Sequence, residues 1–194
     1  TTWLNIDQHI TGGHTSSSGH CRMNASIQSS IIVDGYLSDD PPCHNMAETI
    51  IVRECRHGQV RVQFGNIIRV EGDVMVIPAN NRLAGREGLD EKMQLAAGEE
   101  LRARCTEIAV ERRKEGKQPC GVGEAVTTPG FNLPAEHLVH VVGPDCRRPN
   151  QDNFRRELLA NSYNAMFEEI SKIKSRETLV TPPLGMDVFA YPHR

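Results

Sequence analysis

Asn80 and Asp90 stand ten residues apart, one closing a short apolar run, Val74-Met75-Val76-Ile77, and the other opening a helical pattern. An amide side chain can both donate to and accept from hydroxyls, and a carboxylate can orient or deprotonate a water. Side by side near a bound phosphate, the pair could work on whatever that phosphate carries. Ala79, Gly85, Gly88 and Leu89 frame the same loop. Glycine lets a backbone bring its N–H groups close to a phosphate, and a helix start adds partial positive charge. A second loop, Pro182 to Pro192, carries Gly185, Met186, Asp187, Val188 and Phe189. Neither loop is a P-loop, because no Gly-Lys-Ser/Thr follows, and Gly85 with Gly88 lacks the third glycine of a dinucleotide fingerprint. The plain alternative is that Asp90 only starts its helix and the glycines only serve turn geometry.

The elements that must position these residues follow from periodicity. Val74 to Pro78 is continuously apolar, as a strand covered on both faces would be. Thr49 to Glu54 and Gln59 to Phe64 are predicted strands around a turn at His57-Gly58, with Val60, Val62 and Phe64 alternating against Arg61 and Gln63. A helix runs from Asp90 to Ala96-Ala97-Gly98, and a second spans Glu99 to Lys114 with Leu101, Cys105, Ile108 and Ala109 along one side. Ala125 to Thr128, His137 to Val142 and Thr178 to Thr181 are predicted strands. Gln151 to Lys174 is the clearest helix, with Phe154, Leu158, Leu159, Tyr163, Met166, Phe167, Ile170 and Ile173 at helical spacing and Asp152 in its first turn. Strands alternating with helices argue for a layered α/β domain whose ligands bind beyond the strand ends. Residues 1–46 are expected to be a partly ordered N-terminal extension packed on a domain spanning 47–194, with one strand-like cluster at Ile31-Ile32-Val33. His9, His14, His20, Cys21, Cys43 and His44 are zinc-ligand types, but their spacing fits no familiar zinc pattern, so solvated loop residues are expected and no metal is assigned.

The chain has 194 residues, 38% hydrophobic and 24% charged, with a net charge of −3 and a pI of about 6.2. That composition is globular, and it lacks the clustered basic face that nucleic-acid binding needs. No apolar run reaches the roughly 18 residues of a membrane span, and no secretory signal pattern opens the chain. The six cysteines form no CxxC pair and no tight framework, which fits free thiols in a reducing compartment. A cytoplasmic monomer is expected, in a host cell's cytosol if the protein is a secreted effector.

The order of motifs resembles the macrodomain family. It runs Gly65-Asn66-Ile67, then Val76-Ile77-Pro78-Ala79-Asn80-Asn81-Arg82-Leu83, then Gly85-Arg86-Glu87-Gly88-Leu89-Asp90 and Ala96-Ala97-Gly98. Gly123-Glu124-Ala125 to Leu133-Pro134, Val139-His140-Val141-Val142-Gly143-Pro144 and Pro182 to Pro192 complete it, over residues 58–194. The resemblance implies a three-layer α/β/α fold with a mixed central sheet and an ADP-ribose cleft at the strand ends. It implies that Asn66 accepts from the adenine amino group where the family has Asp, and that Ile67 lies beside the adenine. Asn80 would orient the distal ribose. Ala79, Gly85, Gly88 and Leu89 would form one phosphate loop, and Gly185, Met186, Asp187, Val188 and Phe189 the other, with Phe189 near the distal ribose.

Asp90 keeps the spacing of the family's MacroD-type hydrolases, which implies removal of mono-ADP-ribose from protein side chains, with no cofactor, and with Asp90 positioning or activating water. A non-catalytic reader of ADP-ribosylated proteins is the alternative. Three departures stand out. Arg86-Glu87 interrupts the glycine run. Asp187 stands where the family has glycine, beside the expected diphosphate, and its charge could instead favour a cationic target such as ADP-ribosyl-arginine. Finally, the family continues past Tyr191-Pro192 with a helix and a strand. The C-terminal elements are therefore expected to be truncated, or their space partly filled by the N-terminal extension.

Overall fold

A computed structural model describes residues 27–33, 48–56, 58–147 and 154–192. Its strands are β1 (Ile27–Val33), β2 (Glu48–Cys55), β3 (Gly58–Phe64), β4 (Gly72–Ala79), β5 (Ala125–Pro129), β6 (Ala135–Val142) and β7 (Thr178–Thr181). The helices are α1 (Gly88–Ala97), α2 (Glu99–Lys114) and α3 (Arg155–Ser171). Among the described residues the strands form one seven-stranded sheet in the order β2-β3-β1-β7-β4-β6-β5. The interior pairs β3/β1, β1/β7, β7/β4 and β4/β6 are parallel, whereas the outer pairs β2/β3 and β5/β6 are antiparallel. The sheet is therefore mixed, as expected.

Strand β4 shows why the fold has three layers. Met75, Ile77 and Ala79 point to one face and pack with Leu89, Met93 and Ala97 of α1 and Leu101, Cys105 and Ile108 of α2. Val74 and Val76 point to the other face and pack with Met166 and Ile170 of α3. Alternation along a strand sends successive side chains to opposite faces. Since both faces are apolar, both must be covered, and a fully buried Met93 contributes on the order of 2 kcal/mol.

Predicted and observed boundaries agree within a few residues, and α2 and β7 coincide with the predicted spans. The difference lies near the N-terminus. Ile27–Val33 is an interior strand of the sheet, with Ile31 opposite both Val62 of β3 and Thr181 of β7. The seam read at residue 46 thus does not separate this strand from the domain. A parallel strand's partners are remote in sequence, so its local composition carries no sign of its place. His9, His14, His20, Cys21, Cys43, His44, His57 and Asp152 lie outside the described residues.

Candidate active site

The first loop begins where β4 runs out. Asn80 follows the buried Ala79 and folds its side chain back on the turn: Leu83 N–H donates to the Asn80 carbonyl at 3.0 Å. Asn80 Oδ1 accepts from the backbone N–H of Arg82 at 2.9 Å and of Ala84 at 3.3 Å. Its amide Nδ2 donates to Asp90 Oδ2 at 3.1 Å. The sequence pair is therefore a bonded pair in space.

Asp90 is only 5% exposed. Its other oxygen, Oδ1, accepts from Gln94 Nε2 at 3.0 Å. Burial pushes the Asp90 carboxyl up to about 6, against hydrogen bonds from Gln94, Asn80 and Gly85 that lower it. Gln94 is 1% exposed and lies directly under the loop. A Cβ at Gly85 would fall 2.5 Å from its side chain, and Gly85 has φ +52, so glycine is required there on both counts. Gln94 escaped the sequence reading, although its place one helical turn after Asp90 was a signal: residues i and i+4 share a helix face.

The second loop is braced from behind. Tyr191 N–H donates to the Gly185 carbonyl and Cys146 N–H to the Phe189 carbonyl, both at 2.8 Å, and Ala190 N–H donates to the Asp187 carbonyl at 3.0 Å. Leu184 N–H donates to the Tyr163 hydroxyl of α3 at 3.1 Å. Gly185 is buried, whereas Met186 and Asp187 are exposed and Val188 and Phe189 are half-buried.

The two loops touch. Asp187 Oδ2 accepts from Leu89 N–H, in the first turn of α1, at 2.9 Å. A Cβ at Gly88 would lie 2.2 Å from Asp187 Oδ2 and 2.5 Å from Val188 Cγ2. The turns are thus neighbours, as expected, but at Gly88 the space between them holds the Asp187 and Val188 side chains. Asp187's partner is thus a backbone N–H. Arg147, a further residue the sequence reading missed, sits beside both loops. Its guanidinium bonds Asp145 at 2.7 Å, approaches Glu87 at 3.5 Å, and lies 5.7 Å from the centre of the Phe189 ring. No local pattern marks such a residue, because its partners come from three separate loops.

The residues expected at the adenine end behave differently. Asn66 is exposed, and its Oδ1 accepts from Ile68 N–H at 3.1 Å, capping the single 3₁₀ turn Ile67–Arg69. One lone pair of that oxygen remains for a ligand. Ile67 is fully buried in one core cluster with Met75, Ile77 and Leu83, directly after the exposed Asn66.

Other titratable groups are structural. His140 is buried against the Thr128 hydroxyl at 3.1 Å, and burial lowers it to about 4, so it is neutral at pH 7. Burial pushes the Cys105 and Cys120 thiols up to about 11 and about 12, which leaves them protonated and poor nucleophiles. His137 lies at the start of β6, at the end of the sheet opposite Asn80.

A model of the macro domain family matches residues 76–194. An O-acetyl-ADP-ribose deacetylase from Cronobacter turicensis is 33% identical over 135 residues, 70% of this chain and 72% of that protein. A protein-ADP-ribose hydrolase from Staphylococcus aureus is 32% identical over 166 residues, 83% of this chain and 60% of that protein. Among solved structures, the Oceanobacillus iheyensis macrodomain with ADP superimposes with a TM-score of 0.67 at 28% identity, covering 76% of this chain and 75% of that one. With the motif order, the layered mixed sheet and the family match over residues 76–194 in agreement, the chain belongs to the macro domain family.

Proposed function

We propose that the protein binds ADP-ribose at the ends of β4 and β7 and hydrolyses mono-ADP-ribose from modified protein side chains. The observation that carries this reading is the hydrogen bond from Asn80 Nδ2 to Asp90 Oδ2 at the mouth of the first loop. An amide nitrogen has two N–H groups. With one fixed on Asp90, the other is aimed and left for a hydroxyl of the distal ribose. Backbone N–H groups of the first loop and of Gly185 to Val188 face the diphosphate, Asn66 takes the adenine amino group, and Phe189 borders the distal ribose. Above pH 6 Asp90 is largely ionised. It holds a water at the ribosyl linkage and takes its proton as the water oxygen bonds to carbon and the side-chain group leaves. The relatives named as a hydrolase and a deacetylase support the same reaction class.

A non-catalytic reader is the second reading, and the burial of Asp90 with both oxygens already bonded favours it. One assay separates the two. Proteins carrying ester-linked and arginine-linked mono-ADP-ribose are incubated with the enzyme in parallel. Loss of label from either substrate with release of free ADP-ribose is expected. Label intact on both at stoichiometric enzyme would remove the hydrolase.

A further inference from the structure

We propose that Asp187 is an internal competitor for the diphosphate: its carboxylate occupies the anion seat at the start of α1, and a nucleotide must displace it to bind. The inference rests on the ADP-ribose reading above. Three observations carry it. First, Glu87, the N-cap of α1, makes no side-chain capping bond, so the first turn's donors are left for another acceptor, and Leu89 N–H finds it in Asp187 Oδ2, 98 residues away, at 2.9 Å. A carboxylate there satisfies the donor and the helix-end charge that a phosphate oxygen would otherwise use. Second, the approach is possible only because residue 88 is glycine: a Cβ would sit 2.2 Å from the Asp187 oxygen. Third, the competitor can leave without dismantling its loop. The loop is held by main-chain bonds from Cys146, Ala190 and Tyr191, whereas the Asp187 side chain is exposed and makes its inter-loop bond by one carboxylate oxygen.

The consequence is selective. A ligand that needs the seat binds only the fraction of molecules with the side chain swung out, so its apparent affinity falls by that fraction. A ligand without phosphates pays nothing. Calorimetric titrations of the wild-type chain, Asp187→Ala and Asp187→Asn with ADP, and with adenosine as the control, test this. Removing the carboxylate is expected to tighten ADP binding by about tenfold. The amide, which keeps an acceptor without the charge, is expected to fall between, with adenosine binding unchanged throughout. ADP bound by the wild type and no tighter by either variant would overturn the competitor and leave the proposed function standing. Adenosine tightening in step with ADP would overturn it too, by placing the effect away from the diphosphate. ADP bound by none of the three would remove the ligand reading and this inference with it.

Discussion

Asp90 has two carboxylate oxygens and two side-chain amide donors, Asn80 and Gln94, one on each. The arrangement fixes the carboxylate's rotation while burial raises its affinity for a proton. Two expectations follow at this scale. The ionised form is the one that accepts a proton from water, so kcat/KM should fall as pH drops through about 6 rather than through the usual carboxylate value of 3.8. A profile flat from pH 7 to pH 5 would remove Asp90 as the base. Gln94→Leu keeps approximate volume but deletes one donor, which should move that inflection upward and lower kcat by about tenfold while ADP affinity stays constant. A parallel loss of ADP affinity would mean the glutamine only supports the loop. The Asn80–Asp90 pair was legible from its place between a strand end and a helix start together with the family resemblance that gives this spacing a role. Asp187 was legible as a charge in the wrong place, but its partner was not, since no sequence pattern links residues 98 positions apart.

At the scale of elements, the site is only as well placed as the turns that end β4 and start α1. The strand was legible from the continuous apolar run Val74 to Pro78, and the helix from the glycine-containing loop before Asp90 and Ala96-Ala97-Gly98 after it. The 3₁₀ turn at Ile67 was not legible, because a single turn has no periodicity to show which side faces inward. Tight backbone approaches set the rest of the frame. Gly130 closes the turn between β5 and β6, where a Cβ would lie 1.6 Å from the Ala135 carbonyl oxygen. Gly130→Ala should therefore cost about 3 kcal/mol, the upper end of overpacking penalties, because the obstacle is backbone rather than a movable side chain. Chemical denaturation measures it, and a midpoint equal to wild type would show that the turn yields.

For the whole molecule, the parallel centre of the sheet depends on β1. That strand alone joins the β2–β3 hairpin to β7. With strands about 4.8 Å apart, its removal leaves a gap of about 10 Å that the neighbours cannot bridge by hydrogen bonds. A chain lacking residues 1–34 should melt at least 10 °C lower than the full chain, or unfold β2–β3 separately, in thermal denaturation. An unchanged single transition would show that β1 contributes no cohesion. The layered class was readable from alternating strands and helices, whereas the insertion of β1 was not, because pairing between remote parallel strands is decided only when the sheet assembles. The site sits at the carboxyl ends of β4 and β7, so its chemistry draws on this centre. The most direct measurement is release of ADP-ribose from mono-ADP-ribosylated protein by the wild type and by Asp90→Ala, with ADP affinity measured for both. The account predicts turnover by the wild type and a loss of about 100-fold or more in the variant at similar ADP affinity. Equal release by the two proteins, or none by the wild type, would contradict it.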